Sequence, residues 1–164
     1  MRRFGVLSDT HIPERASQLP EMIHAIFQGC EKVFHAGDIT HPRVIETLQA
    51  WGHDVIAVRG NMDYETATAN YPEQRIIRIN DTVVAMIHGW GSPLNLQTRI
   101  FERFEEAKPN VIIFGHTHQA KVEVWKDILW INPGSPTDRI IAPFRSVAIL
   151  EIDGENRNAM IVRL

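Results

Sequence analysis

The sequence contains a single cysteine, Cys30, which excludes an internal disulfide and a cysteine-built zinc site. Near the end of a short amphipathic segment, it reads as a small buried hydrophobe rather than a nucleophile. No apolar run approaches the ~18 residues of a membrane span. The basic start, Arg2-Arg3, leads only into the short apolar stretch Phe4 to Leu7, too brief for a secretory signal. The expected location is therefore the cytoplasm, with no membrane partner. An excess of one charge is also lacking. Seventeen Lys and Arg against 20 Asp and Glu give a net charge of −3 and a pI near 6.2. That leaves no basic footprint for specific nucleic-acid binding. Linkers, internal repeats and low-complexity segments are absent. What is present, 164 residues with 44% hydrophobic and 23% charged content, suits one domain spanning residues 1–164.

Apolar periodicity divides the chain into two parts. In the first, Phe4–Leu7, Lys32–Ala36 and Asp54–Val58 read as strands. Between them, Leu19, Met22, Ile23 and Ile26 fall on one helical face closed by Gly29. Val44, Ile45, Leu48 and Trp51 line a second helix that begins near Pro42 and ends at Gly52. Tyr64 to Pro72 has no period and reads as a surface loop. In the second part, Arg75–Ile79 and Thr82–Ile87 form a hairpin around Asn80-Asp81. Leu96, Ile100 and Phe104 mark a third helix, ended by Ala107 and Pro109. Val111–Phe114 reads as a strand buried on both faces. Two further hairpins follow, Ala120–Trp125 with Ile128–Ile131, and Ser146–Ile152 with Ala159–Leu164. This order predicts an α/β fold of two sheets packed face to face with helices outside. Parallel strands are expected in the first half and a largely antiparallel second sheet after it.

Five of these strands end in polar residues of one chemical kind. Asp9 and His11 follow the first, Asp38 the second and Asn61 the third; His88 follows Thr82–Ile87, and His116 with His118 follow Val111–Phe114. Parallel neighbours place such ends on one sheet edge, where ligands bind in open α/β sheets. His116 and His118, one residue apart on an extended segment, would aim both rings at one spot. The seven side chains supply nitrogen and oxygen donors without a thiolate, enough for two divalent ions. A carboxylate bridging them would hold the ions ~3.5–4 Å apart. Such donors suit manganese, the expected ion, as well as nickel, iron, zinc or cobalt.

Asp9-x-His11, Gly37-Asp38, Gly60-Asn61, His88-Gly89 and Gly115-His116-x-His118, in that order, resemble the motifs of the calcineurin-like metallophosphoesterases. The chain length, and Asn132-Pro133-Gly134-Ser135 after the last motif, are similar to the small YfcE-like phosphodiesterase branch. The resemblance covers nearly the whole chain and implies a four-layer α/β/β/α sandwich. It implies a first metal on Asp9, His11 and His118, a second on Asn61, His88 and His116, and Asp38 bridging them. It further implies that a hydroxide between the metals attacks a phosphoester in line, diesters being preferred to monoesters. Asp38, Asn61 and His88 would be the core of that catalysis. One position departs from the pattern: Met62 stands where many members carry a histidine that assists the leaving group. A thioether donates no proton, and general acid catalysis is worth ~10²–10⁴-fold, so substrates with acidic leaving groups are expected. Small members of the branch often lack this histidine too. Asp63 is the next candidate for the proton, weighed against a turn or supporting role.

Arg15, in the loop after the first motif, is a candidate for bidentate contact with a phosphate, weighed against a surface ion pair. Trp90, just past His88-Gly89, is a candidate wall of the substrate pocket, whereas Trp51, Trp125 and Trp130 read as core. His35 reads as packed support for the site; His24, His41 and His53 read as solvated or capping residues, and Arg59 and Arg139 as structural. Substrate choice would rest on Arg15, Trp90 and the loop Ala67–Asn70. The expected ligand is a small phosphoester, and self-association is open. The rival function is a metal-binding interaction scaffold similar to the retromer subunit of this fold. Scaffold members tend to lose metal ligands, whereas all seven are kept here. A two-metal hydrolase of amides or other esters is chemically permitted and opposed only by the resemblance.

Overall fold

The computed structural model describes residues 1–64 and 68–164, so Ala67 of the Ala67–Asn70 loop lies outside the described residues. In chain order the strands are β1 (Arg2–Leu7), β2 (Lys32–His35), β3 (Val55–Ala57), β4 (Gln74–Ile79), β5 (Thr82–Ile87), β6 (Val111–Ile113), β7 (Lys121–Trp125), β8 (Ile128–Asn132), β9 (Ser146–Asp153) and β10 (Asn156–Arg163). The helices are α1 (Met22–Ile26), α2 (Arg43–Ala50) and α3 (Leu96–Phe104), the last continued by a 3₁₀ turn at Glu105–Ala107. Two five-stranded sheets result, ordered β10-β9-β1-β2-β3 and β4-β5-β6-β8-β7. No helix among the described residues is long and apolar enough to cross a membrane.

Side chains alternate across each strand, and this sorts the apolar residues into three layers. Phe4, Val6, Phe34, Met86, Val111, Ile113, Ile131 and Leu150 meet between the sheets. Leu7, Val33, Val147 and Ile149 face the other way and pack under Ile23, Phe27, Val44 and Leu48 of the α1 and α2 region. On the far side, Ala85, Ile112 and Trp130 pack under Leu96, Ile100 and Phe104 of α3. The fold is thus the four-layer α/β/β/α sandwich. Gly5 belongs to this packing, because a Cβ there would lie 2.8 Å from the Phe27 ring. Cys30 packs beside the same cluster, where burial pushes its thiol up.

Two expectations need correction. The second sheet is not largely antiparallel: β5, β6 and β8 are mutually parallel, and only the outer strands β4 and β7 run antiparallel to their neighbours. The connection from β5 through α3 to β6 is a crossover, which returns the chain parallel. Strand β8, buried along its length, takes the inner place beside β6 and leaves the edge to the more exposed β7. The last hairpin, β9–β10, joins the first sheet. In the first helix Met22 is largely exposed, and the buried spine is Leu19, Ile23 and Phe27, spaced by four. The helix itself starts at Met22, so Leu19 lies in the preceding turn.

The register aligns the functional ends. Leu7 pairs with His35 and His35 with Ala57, so the residues after β1, β2 and β3 emerge at one level. Met86 pairs with Ile113, and the Gly115 N–H donates to His88 O at 3.0 Å. The carboxyl ends of the parallel strands in both sheets therefore meet at one end of the sandwich.

Candidate metal centre

The ligand motifs leave their strands through left-handed backbone. Asp9 (φ 55°), His11 (40°), Asp38 (53°), His116 (70°) and His118 (56°) all occupy a region that costs an L-residue roughly 1–2 kcal/mol. Hydrogen bonds hold them there. The Asp9 N–H donates to Gly37 O (2.9 Å) and the His11 N–H to Asp38 O (3.1 Å). Ser135 Oγ donates to Asp9 O (2.7 Å) and Thr137 Oγ1 to Thr10 O (2.7 Å). Asn132 Nδ2 donates to Gly115 O (3.0 Å) and Thr117 Oγ1 (3.0 Å). The Asn132–Ser135 loop thus braces the first and last motifs from behind. Glycine is required where the motifs touch. A Cβ on Gly60 would lie 2.1 Å from Asp38 Oδ1, and one on Gly115 2.0 Å from Ser8 Oγ.

Two buried clusters result, Asp9–His11–His118 and Asp9–Asp38–His88. The Nε2 atoms of His11 and His118 lie 3.2 Å apart, and Asp9 Oδ1 lies 3.2 Å from His118 Nε2 and 3.7 Å from His88 Nε2. Asp38 Oδ2 stands between the clusters, 3.4 Å from His11 Nε2 and 3.2 Å from His88 Nε2. Its other oxygen, Oδ1, accepts from the Met62 N–H at 2.8 Å. The Asp38 carboxylate therefore lies between the two clusters, and Asp9 belongs to both. Asp9 Oδ1 and His88 Nε2 are buried and have no hydrogen-bond partner.

The electrostatics follow from this crowding. Burial pushes the Asp9 carboxyl up, but His88, His11 and His118 outweigh it and hold it well below the usual carboxylate range. Burial pushes His88 down, and Asp9 and Asp38 reverse this and raise it to about 9. Asp38 is likewise lowered against its burial, chiefly by His88. Opposite charges thus compensate inside a desolvated site.

His116 does not share a spot with His118. Its Nε2 donates to Gly91 O (2.7 Å) and its Nδ1 meets Asn61 Oδ1 (3.1 Å), so Asn61 and His116 pair with each other beside His88. The extended geometry behind the expected convergence is missing, since both histidines have positive φ. Asp63 is also placed differently from a proton donor. Its buried carboxylate accepts from the N–H groups of Gly60 (2.7 Å) and Thr40 (2.8 Å) and from Thr68 Oγ1 (2.6 Å), tying the loops after β2 and β3 together. That is the supporting role.

Arg15 lines the cleft of about 350 Å³ over the centre, along with His11, Asp38, Met62 and His118. It also lies 3.9 Å from Asp138. Trp90, partly exposed, walls an adjoining cavity of about 220 Å³. His35 is fully buried against Thr10 Oγ1 (3.1 Å), and His41 Nδ1 accepts from the Arg43 N–H (3.1 Å) at the start of α2. His24 and His53 are partly buried, His24 with its ring tilted against Trp51 and His53 edge-on to Phe27.

The residue missed from the sequence is Asp138. Its Oδ2 lies 2.5 Å from His118 Nδ1, and its carboxylate also accepts from the N–H groups of Ile140 (2.8 Å), Ile141 (3.2 Å) and Ala142 (3.2 Å). Burial raises the carboxyl, but the Ile140 amide and His118 overcome this and lower it to about 2. A carboxylate behind a metal-ligating histidine is a general feature of such sites, but spacing does not say which acid supplies it.

Residues 2–155 match the calcineurin-like phosphoesterase superfamily domain. A probable metallophosphoesterase of Methanothermobacter thermautotrophicus is 39% identical over 160 residues, 97% of this chain and 91% of that protein. Among solved structures, Vps29 of Chaetomium thermophilum is 17% identical with a TM-score of 0.79, over 99% of this chain and 95% of its own. An archaeal phosphodiesterase is 23% identical with a TM-score of 0.76, over 98% and 99%. These two structures speak for the fold; the domain match and the Methanothermobacter relative speak for descent. The chain belongs to the calcineurin-like phosphoesterase superfamily.

Proposed function

We propose that the protein is a dinuclear-metal-dependent phosphoesterase acting on phosphodiesters. The observation that carries this reading is the pair of buried ligand atoms without hydrogen-bond partners, Asp9 Oδ1 and His88 Nε2, in two clusters that share Asp9. Leaving a carboxylate oxygen and an imidazole nitrogen desolvated without a hydrogen bond is unfavourable. A divalent ion at each cluster would satisfy both. Asp9, His11 and His118 would hold one ion, and His88, Asn61 and His116 the other, with Asp38 between them. The donor set fits manganese, and also nickel, iron, zinc or cobalt. When bound, two such ions acidify a water and neutralise charge on phosphoryl oxygens.

The chain's own groups prepare for that chemistry. Asp138 and Ala36 O accept from the Nδ1 side of His118 and His88, so both Nε2 atoms face inward, where each would give a lone pair to a bound ion. The Met62 amide fixes Asp38 Oδ1 and leaves Oδ2 facing His11 and His88. Arg15, at the rim of the cleft, is the group to meet a phosphoryl oxygen, with Asp138 restraining it. Met62 lines the same cleft and gives no proton, which directs the enzyme to acidic leaving groups. The likeness in fold to an archaeal phosphodiesterase supports diesters as the substrate class.

The test is hydrolysis of an activated aryl phosphodiester beside the matching monoester. Metal-stripped protein would be resupplied with Mn²⁺, Ni²⁺, Zn²⁺ or Mg²⁺, with Asp38→Asn as control. Metal-dependent cleavage, faster on the diester and lost in Asp38→Asn, is expected. No turnover with two ions bound per chain would refute the enzyme and favour the interaction scaffold.

A further inference from the structure

The second cavity opens beside the second cluster. Asn61 and His88 line it together with Trp90, Tyr64, Arg59 and Arg103. At about 220 Å³ it falls below the ~300–1,000 Å³ usual for drug-sized ligands, which limits its occupant to one ring system. Both aromatic side chains are half exposed, yet neither is loose. Arg99 donates to three carbonyl oxygens of the Trp90 loop, those of Trp90 (2.7 Å), Ser92 (2.6 Å) and Leu94 (2.7 Å). Tyr64 Oη donates to Glu73 Oε1 (2.8 Å), and the Arg59 guanidinium lies 4.6 Å from the Tyr64 ring centroid. The same Trp90 loop touches the centre directly, since Gly91 O accepts from His116. An aromatic platform is thus held in fixed relation to the reacting end of the site, as stacking recognition requires.

We infer that this cavity is a ring-binding subsite, and that the substrate is a phosphodiester carrying a flat aromatic group, a nucleobase or a simple aryl, seated against Trp90 and Tyr64. The inference rests on the phosphodiesterase reading and names its substrate class. Stacking tolerates any π-face, so the shape of the cavity selects an aromatic group while leaving its identity open. Arg103 and Glu73 line the same cavity and offer hydrogen bonds to the edge of a bound ring. An aryl ester leaves as an acidic phenol, which suits a site whose cleft carries Met62 in place of a proton donor, whereas a nucleoside would leave through its sugar hydroxyl and gain nothing there.

Binding separates this inference from turnover. Dissociation constants of methyl phosphate, phenyl phosphate and adenosine 5′-monophosphate would be measured on Mn²⁺-loaded protein, with tryptophan fluorescence recorded in the same titrations. Wild type should bind the two aromatic monoesters roughly 10-fold or more tighter than methyl phosphate, from stacking on one or two side chains. Trp90 emission should be quenched by them alone, the signal being assigned by its loss in Trp90→Phe. Trp90→Ala should erase the preference while methyl phosphate binding stays, and Trp90→Phe should retain most of it. Preference for adenosine 5′-monophosphate over phenyl phosphate assigns a nucleoside diester, and equal affinity assigns aryl groups in general. Equal binding of all three ligands, or a preference unchanged in Trp90→Ala, overturns the subsite even if aryl diesters are hydrolysed. Loss of metal-dependent hydrolysis would instead overturn the enzyme reading, which the fluorescence experiment does not measure.

Discussion

Asp138→Asn isolates what the carboxylate behind His118 does. In the native site Asp138 Oδ1 accepts from the Ile140 and Ile141 amides, and Oδ2 faces His118 Nδ1 and the Ala142 amide. An asparagine fits the same space. If its carbonyl keeps the two amides of Ile140 and Ile141, its NH₂ group replaces Oδ2 and donates to His118 Nδ1. The imidazole proton then moves to Nε2, the atom that faces Asp9 and His11, and His118 loses the lone pair it would give an ion. The charge that fixes the ring is lost as well. Changes of this kind usually weaken metal binding 10–100-fold, about 1.4–2.8 kcal/mol. The assay is competition with a chromogenic chelator, reading the two ions separately. One site should weaken by that factor and the other, built on His88 and Asp38, should change little. Asp138→Ala is the poorer probe, since it strands three amides and confounds affinity with stability. Two sites binding as tightly as in wild type would refute the tautomer argument. Equal weakening of both would show that Asp138 supports the loop rather than the histidine.

Met62→His places an imidazole at the rim of the cleft, where it can protonate a departing oxygen. Turnover of diesters with alkyl leaving groups should rise by up to ~10²-fold while activated aryl diesters change little, and an equal effect on both would count against the absence of a general acid. Gly60→Ala sets a methyl 2.1 Å from Asp38 Oδ1 and 2.5 Å from Asp38 N, atoms held in place from both sides. Overpacking of this kind should lower stability by about 1–3 kcal/mol in urea titration and remove the ion at the Asp38 cluster; native stability with both ions retained would contradict the packing argument. His53 is pushed below its ordinary 6.5 by burial and by His24. The unfolded chain therefore binds that proton first, so stability should be full above pH 6.5 and decline as pH falls below it. His53→Gln should show a shallower decline between pH 7 and pH 5 by thermal unfolding, and an unchanged slope would assign the acid sensitivity elsewhere.

Much of the architecture was legible because its causes are local. The unbroken apolar run Val111-Ile112-Ile113 declares a strand buried on both faces. Asn80-Asp81, Lys126-Asp127 and Asp153-Gly154 declare hairpin turns, and Asn80, Lys126, Asp127 and Gly154 take positive φ in the fold. The clustered polar residues were legible for another reason: Asp, Asn and His recur directly after apolar runs, and parallel strands bring such ends together whatever their separation along the chain. Strand order in the second sheet was not legible, because parallel or antiparallel placement of β8 depends on which neighbour best covers a fully buried strand.

By itself, then, the sequence determined the two-sheet sandwich, the ends at which function gathers and the chemical types of the ligands, since these follow from periodicity and side-chain identity. Tertiary structure decided the rest. Asp138 supports His118 from 20 residues away, a pairing no spacing rule encodes. His116 turns to Gly91 and Asn61 because its left-handed backbone breaks the extended geometry its neighbours in sequence promise. Asp63 is spent on loop amides, and Trp90 walls a cavity on a loop whose carbonyls Arg99 holds. Direction and partnership of side chains are properties of packed three-dimensional contacts, and a linear pattern of residue types does not contain them.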